Sequence, residues 1–265
     1  MTKSKRHILG LSGGKDSAAL AIYMRDRVPE MEYVFCDTGK ELNETYEFLL
    51  LMEAFLGKKI QRLVSERTFE HYLKLYGGYL PSSRMRWCTR LLKLKPFEEY
   101  IGSDEAVNYV GIRADENREG YLSTKTNITS VFPFRTDGIT KADVLRILEE
   151  SGVGIPAYYS WRSRSGCYFC FFQRKEEWVS LSEVHPDLFE KAKAYEKVDS
   201  ATGERFTWRQ GETLDELVAR EKAKTEDKPR RVEQKPRRNL PLVTVLADED
   251  DDADPEDRPC LICDL

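Results

Sequence analysis

The sequence predicts an α/β protein: a parallel sheet with helices on both faces, followed by a small helical appendage and a disordered tail. Three observations carry that expectation. Short apolar runs alternate with segments of helical periodicity. A glycine-rich turn joins the first apolar run to the first helix. Beyond about residue 224 the periodicity fails altogether.

His7-Ile8-Leu9-Gly10-Leu11 reads as a short buried strand, and Ser12-Gly13-Gly14-Lys15-Asp16-Ser17 is the turn. Ala18, Ala19, Ile22 and Tyr23 then form a helical stripe. Tyr33-Val34-Phe35-Cys36 is a second buried strand, with Cys36 as a buried thiol, and it runs out at Asp37-Thr38-Gly39. Asn43 to Phe55 has helical spacing, with Tyr46, Leu49, Leu50 and Ala54 apolar. Ile60 to Val64 and Val107 to Ile112 are expected as the third and fourth strands. Parallel sheets bind ligands beyond the carboxyl ends of their strands. Ser12, Asp37 and Arg113 each follow a predicted strand, so three polar features meet at one edge.

Thr140 and Asp143 open a further helix as a capping-box variant. Residues 152–170 read as irregular. Glu176 to Leu181, Pro186 to Tyr195 and Thr213 to Glu221 read as short helices. The expected division is 1–165 for the α/β domain, 166–224 for the appendage and 225–265 for the tail.

The chain has 265 residues, 40% hydrophobic and 33% charged, which suits a globular body with polar extensions. No run of eighteen apolar residues offers a membrane span, and no long apolar segment follows the basic start, so a cytoplasmic protein is expected. The net charge is −4, yet residues 248–257 alone hold eight acids. Without the stretch 248–265 the balance is about +4, a mildly basic body suited to anionic ligands. Lys228, Arg230, Arg231, Lys235, Arg237 and Arg238 form a basic run ahead of that acidic stretch, and apolar Leu240 to Leu246 lies between them.

The turn has the chemistry of a phosphate cradle. Adjacent glycines let backbone N–H groups approach an anion, and the following helix points its positive end there. Ser12 and Ser17 add hydroxyls and Lys15 adds a full charge. Asp16 would repel phosphate, so a divalent ion between them is expected. Four residues do not separate the glycines, so this is not a Walker A loop.

Six cysteines occur: Cys36, Cys88, Cys167, Cys170, Cys260 and Cys263. Two Cys-x-x-Cys pairs point to a metal, a cluster or redox chemistry rather than to a disulfide framework.

The hexapeptide Ser12–Ser17 resembles the PP-loop of the adenine-nucleotide α-hydrolase superfamily. Asp37-Thr38-Gly39 with Glu44-Thr45-Tyr46, Trp87-Cys88-Thr89-Arg90 with Leu92-Lys93, Gly111-Ile112-Arg113-Ala114-Asp115-Glu116 with Arg118, and Phe132-Pro133 with Asp143-Val144 resemble segments of the phosphoadenosine-phosphosulfate (PAPS) reductase branch. Together they cover roughly residues 7–173. The resemblance is greatest to the ATP pyrophosphatase component of DNA phosphorothioation systems.

That resemblance implies ATP and Mg²⁺ at Ser12, Gly13, Gly14, Lys15, Asp16, Ser17, Asp37, Thr38, Gly39, Lys93, Gly111, Arg113 and Arg118. Lys15, Asp16, Asp37 and Arg113 would carry the catalysis. Lys93, Arg113 and Arg118 would neutralise phosphate or sulfate oxygens. Asp37 would hold a metal ion or the ribose, or simply cap the next turn. Cys88, Cys167 and Cys170 would hold an iron–sulfur cluster of the [4Fe–4S] type, with zinc or unligated thiols as alternatives. Trp87 stands where cluster-bearing reductases have a further cysteine, so the fourth ligand is open.

The activity implied is hydrolysis of ATP to AMP and pyrophosphate, which activates a phosphate or base oxygen for sulfur transfer. DNA and partner proteins, among them a cysteine desulfurase, would take part, with room for a homo-oligomer and no role for a membrane. The alternatives are a PAPS or adenosine-phosphosulfate reductase working with thioredoxin, and a nucleotide-sensing subunit without turnover. Cys260 and Cys263 lack the glycine and histidine of the reductases' catalytic tail, which argues against the reductase.

Overall fold

The computed structural model describes residues 5–117, 123–198 and 204–226. Five strands form one parallel sheet: β1 (Arg6–Gly10), β2 (Glu32–Asp37), β3 (Ile60–Val64), β4 (Ala106–Tyr109) and β5 (Ile128–Val131), in the order β3-β2-β1-β4-β5. Leu9 stands opposite both Tyr33 and Tyr109. The chain runs from β1 outward to β3, then crosses back to place β4 on the other side of β1. The sheet therefore changes direction between β1 and β4, and the crevice at their carboxyl ends is where such sheets bind ligands.

The helices are α1 (Lys15–Met24), α2 (Asn43–Leu56), α3 (Phe69–Leu75), α4 (Trp87–Thr89), α5 (Lys95–Ile101), α6 (Pro133–Thr136), α7 (Lys141–Glu150), α8 (Lys175–Val184), α9 (Pro186–Lys193) and α10 (Leu214–Glu226). A π-helical stretch, Arg90–Leu94, joins α4 to α5 without a break. A short antiparallel pair, β6 (Lys197–Val198) with β7 (Arg205–Phe206), precedes α10.

Alternation along the strands divides the apolar residues between two faces. Leu9, Tyr33, Phe35 and Tyr109 pack with α1, α2 and α7 through Ala18, Phe48, Met52, Val144 and Leu148. Ile8, Val34, Cys36, Ala106 and Ile128 pack with Phe97 and Ile101 of α5. The sheet is thus covered on both sides, as expected for strands apolar on both faces. A third cluster, with Phe69, Trp87, Phe169, Trp178, Trp208 and Leu217 at its heart, ties α3 and α4 to α8, α9 and α10. Phe169 stacks on Trp208 at 4.9 Å and lies 4.5 Å from Phe69.

The third strand has the expected bounds, the first is displaced by one residue, and the second is longer by one residue at each end. The fourth begins at Ala106 and leaves the sheet after Tyr109, short of the expected Ile112. There the chain turns across the start of α1: a Cβ on Gly111 would lie 3.1 Å from the carbonyl oxygen of Asp16. The fifth strand, α3 and the helix from Trp87 to Ile101 were not anticipated. Both halves of the capping box at Thr140 and Asp143 are present. The last helix runs on to Glu226, past the expected Glu221. From residue 227 the expected tail lies outside the described residues. Among the described residues no helix is long and apolar enough to cross a membrane.

Candidate phosphate site and thiol cavity

The glycine turn leaves β1 at Leu11, whose N–H is held by the Val34 carbonyl, and enters α1 at Lys15. Gly13 has φ +78°, the left-handed region, and a Cβ there would stand 2.5 Å from Cγ2 of Thr45. Glycine is therefore required twice over, by conformation and by space. The Ser17 hydroxyl donates to the Gly14 carbonyl at 3.1 Å and accepts the Ser12 N–H at 3.2 Å, which closes the turn on itself.

Lys15 is 5% exposed. Its Nζ lies 2.9 Å from Oδ2 of Asp16, while Nη1 of Arg113 lies 2.8 Å from the other oxygen of the same carboxylate. Asp16 thus bridges two cations at the phosphate edge. Arg113 is buried, and it also meets Glu116 at 3.0 Å and Asp115 at 3.0 Å. Burial works against its charge. Asp16 and Glu116 overcome that and hold the guanidinium above its ordinary pKa. Arg118 lies outside the described residues.

Asp37 ends β2. Its Oδ1 accepts the Gly39 N–H at 2.8 Å and the Tyr46 hydroxyl at 2.8 Å. Of the roles open to it, turn capping is the one this geometry displays. Thr38 turns the other way. Its hydroxyl donates to Oε1 of Glu41 at 2.9 Å and sits 3.2 Å from Sγ of Cys167. The Tyr168 N–H bonds the Lys40 carbonyl at 2.8 Å, so the Cys-x-x-Cys turn is pinned to the turn after β2.

Cys88, Cys167 and Cys170 line one cavity of about 500 Å³, open mouth included, with Thr38, Lys93 and Phe172. Residues more than 70 positions apart are thereby brought together. Phe69, Leu92, Phe169 and Trp208 make the rest of the wall largely apolar. Burial pushes the Cys88 thiol up to about 11 and the Cys167 thiol well above its ordinary value. Burial also opposes the charge of Lys93, but Glu41 and the neighbouring thiols outweigh it and hold its pKa above the ordinary value. Among the described residues, no group of three or more His, Cys, Asp or Glu side chains is arranged to hold a single metal ion. Cys260 and Cys263 lie outside the described residues.

Sequence reasoning missed the segment that roofs the turn. A 3₁₀ turn at Ala157–Ser160 places Tyr158 and Tyr159 over it. The Tyr158 hydroxyl donates to the Gly13 carbonyl at 2.7 Å, and the Tyr159 hydroxyl accepts the Lys15 N–H at 3.1 Å. Ser165 reaches the Ser12 hydroxyl at 3.3 Å. Glu41 was missed as well, though an acid so close to Asp37-Thr38-Gly39 was a visible signal.

A family model described as the phosphoadenosine phosphosulfate reductase domain matches residues 6–170, more than half of the chain. An uncharacterised protein of Methanocaldococcus jannaschii is 26% identical over 206 residues, 72% of this chain and 48% of that protein. An adenosine 5'-phosphosulfate reductase of Staphylococcus haemolyticus is 29% identical over 112 residues, 42% of this chain and 45% of the reductase. The chain spans less than half the length of either relative. A crystal structure of the PAPS reductase of Candida auris in a phosphate complex aligns with a TM-score of 0.48 at 14% identity, covering 63% of this chain and 84% of that one.

Proposed function

The chain belongs to the phosphoadenosine phosphosulfate reductase domain family, and on that premise we propose that it is an ATP pyrophosphatase serving sulfur transfer. It would cleave ATP to AMP and pyrophosphate, activating a phosphate or base oxygen of DNA for phosphorothioation. The observation that carries this reading is the Lys15–Asp16–Arg113 network at the mouth of the glycine turn. Two cations held rigidly by one carboxylate suit a site where negative charge builds on phosphate oxygens.

The acceptor oxygen attacks the α-phosphorus and takes up the adenylyl group, the bond to the pyrophosphate oxygen breaks, and pyrophosphate leaves with the electron pair; sulfide then displaces the activated oxygen, which departs on AMP. Backbone N–H groups of the turn and the Lys15 ammonium stabilise the charge on the phosphates. Asp16 positions Lys15 and Arg113, and Asp37 fixes the turn that follows β2. Mg²⁺ would screen the triphosphate. The thiol cavity suits an iron–sulfur cluster in its donor set, three thiols around one largely apolar space. Cys88, Cys167 and Cys170 would hold that cluster, which when bound would supply an iron for sulfide. A desulfurase and other partner proteins would deliver the sulfur. The basic run 228–238 would contact DNA by charge alone.

The reductase reading is favoured by the likeness to the Staphylococcus haemolyticus protein. One experiment separates the two. Protein, ATP and Mg²⁺ are incubated with and without DNA and pyrophosphate is measured, while parallel tubes hold a sulfonucleotide and reduced thioredoxin and sulfite is measured. Pyrophosphate release that vanishes in Lys15→Ala is expected. Sulfite without pyrophosphate would sink the pyrophosphatase.

A further inference from the structure

The segment that roofs the glycine turn is built in an unusual way for a passive cover. Tyr158 and Tyr159 stack on each other at 4.9 Å, yet they meet the turn through opposite kinds of contact. Tyr158 is 1% exposed and donates to a carbonyl, which a phosphate cannot do. Tyr159 is only half-buried and accepts the Lys15 N–H, as a phosphate oxygen would. Its ring also lies 5.4 Å from the Lys15 ammonium. One tyrosine therefore braces the turn, and the other uses a donor that the turn's chemistry assigns to an anion.

The same segment touches the turn again at Ser165. A Cβ on Gly14 would meet Oγ of that serine at 2.8 Å, so the two backbones are in close contact. Cys167 follows two residues later and Cys170 closes the next turn. Glycines in the left-handed region stand at both ends of the strap, Gly154 with φ +70° and Gly166 with φ +139°. A short tether, held by hydrogen bonds from Arg162 to the Gly166 and Cys167 carbonyls, thus joins Tyr159 to the wall of the thiol cavity.

We propose that the Tyr159 hydroxyl competes with a nucleotide phosphate oxygen for the Lys15 N–H, so that nucleotide entry lifts Tyr159 and shifts the strap that leads into Cys167 and Cys170. The inference rests on the reading of the turn as a nucleotide site. It adds that occupancy of that site is communicated to the cysteines by a competitor built into the chain, with Tyr158 as the fixed end.

The test uses the full chain and a non-hydrolysable ATP analogue with Mg²⁺. Affinity is measured for the parent, Lys15→Ala and Tyr159→Phe, the last keeping the ring and removing only the hydroxyl. Loss of one competing hydrogen bond should tighten binding by about threefold to tenfold. Hydrogen exchange of the parent should slow over residues 12–17 and speed up over 157–166 when the analogue binds. Unchanged or weaker binding by Tyr159→Phe, or exchange over 157–166 that stays level or slows, overturns the competition. In those cases binding that is lost in Lys15→Ala leaves the nucleotide site standing. A parent that does not bind the analogue overturns both.

Discussion

Replacing Arg113 by methionine should unsettle the phosphate edge more than any other single change there. The guanidinium is 4% exposed and faces three carboxylates, of which Glu116 is 4% and Asp16 is 15% exposed. Asp115 is 40% exposed and contributes little, because water screens it. The loss is then that of a buried ion pair broken from one side, about 3–5 kcal/mol. For a domain of this size that lowers the melting temperature by roughly 6–20 °C. Thermal melts of parent and variant at pH 7 give the answer. Arg146→Leu, on the exposed face of α7, should melt with the parent. A shift for Arg113→Met below about 2 °C would refute the reasoning.

Three further outcomes are expected. Gly13→Ala forces a left-handed alanine against Thr45, a conformational cost of about 1–2 kcal/mol before the clash is relieved, and should abolish nucleotide binding while the far-ultraviolet spectrum is kept; unaltered affinity in a binding titration would contradict it. Burial pushes the Cys36 thiol up to about 12, so at pH 8 only about one molecule in ten thousand carries the thiolate. Iodoacetamide should label Cys36 only after denaturation, and rapid native labelling seen by peptide mass spectrometry would count against its burial. Burial would raise the Glu70 carboxyl, but hydrogen bonds from Lys40 and Tyr195 outweigh it and hold it at about 2. A pKa below the unfolded value contributes stability above pH 4.5 and loses it as pH falls toward 2. The gap in melting temperature between the parent and Glu70→Gln should therefore narrow below pH 4.5, and a gap that stays constant would show that Glu70 is not linked in this way.

Much of the phosphate edge was legible because its residues are contiguous. Ser12 to Ser17 carry turn, charge and helix start within one hexapeptide, and β1, β2 and β3 announce themselves as apolar runs. What stayed hidden depends on distance or on weak local pattern. The contacts of Tyr158 and Tyr159 with the turn span 145 and 144 residues and leave no mark in their own neighbourhood. Ile128-Thr129-Ser130-Val131 has polar residues at its centre, and only its place beside β4 makes it a strand. The helix that carries Cys88 is broken in pattern by Pro96 and by its π-helical turn. Asp37 reads from the sequence as a metal holder, a ribose contact or a turn cap, because the direction of its carboxylate is not written in the spacing.

The π-helical stretch acts as a phase shifter. Five residues along a regular helix amount to about 140° of rotation beyond one full turn. Cys88 and Lys93 are five apart, yet both reach the same cavity. Hydrogen bonds that close at five residues instead of four unwind the segment enough to bring such a pair into line. Deleting one residue between Cys88 and Lys93 would leave them four apart in an ordinary helix, about 40° apart and still on one face. The wider winding thus lets the segment carry one residue more than an ordinary helix would while ammonium and sulfur keep a common side.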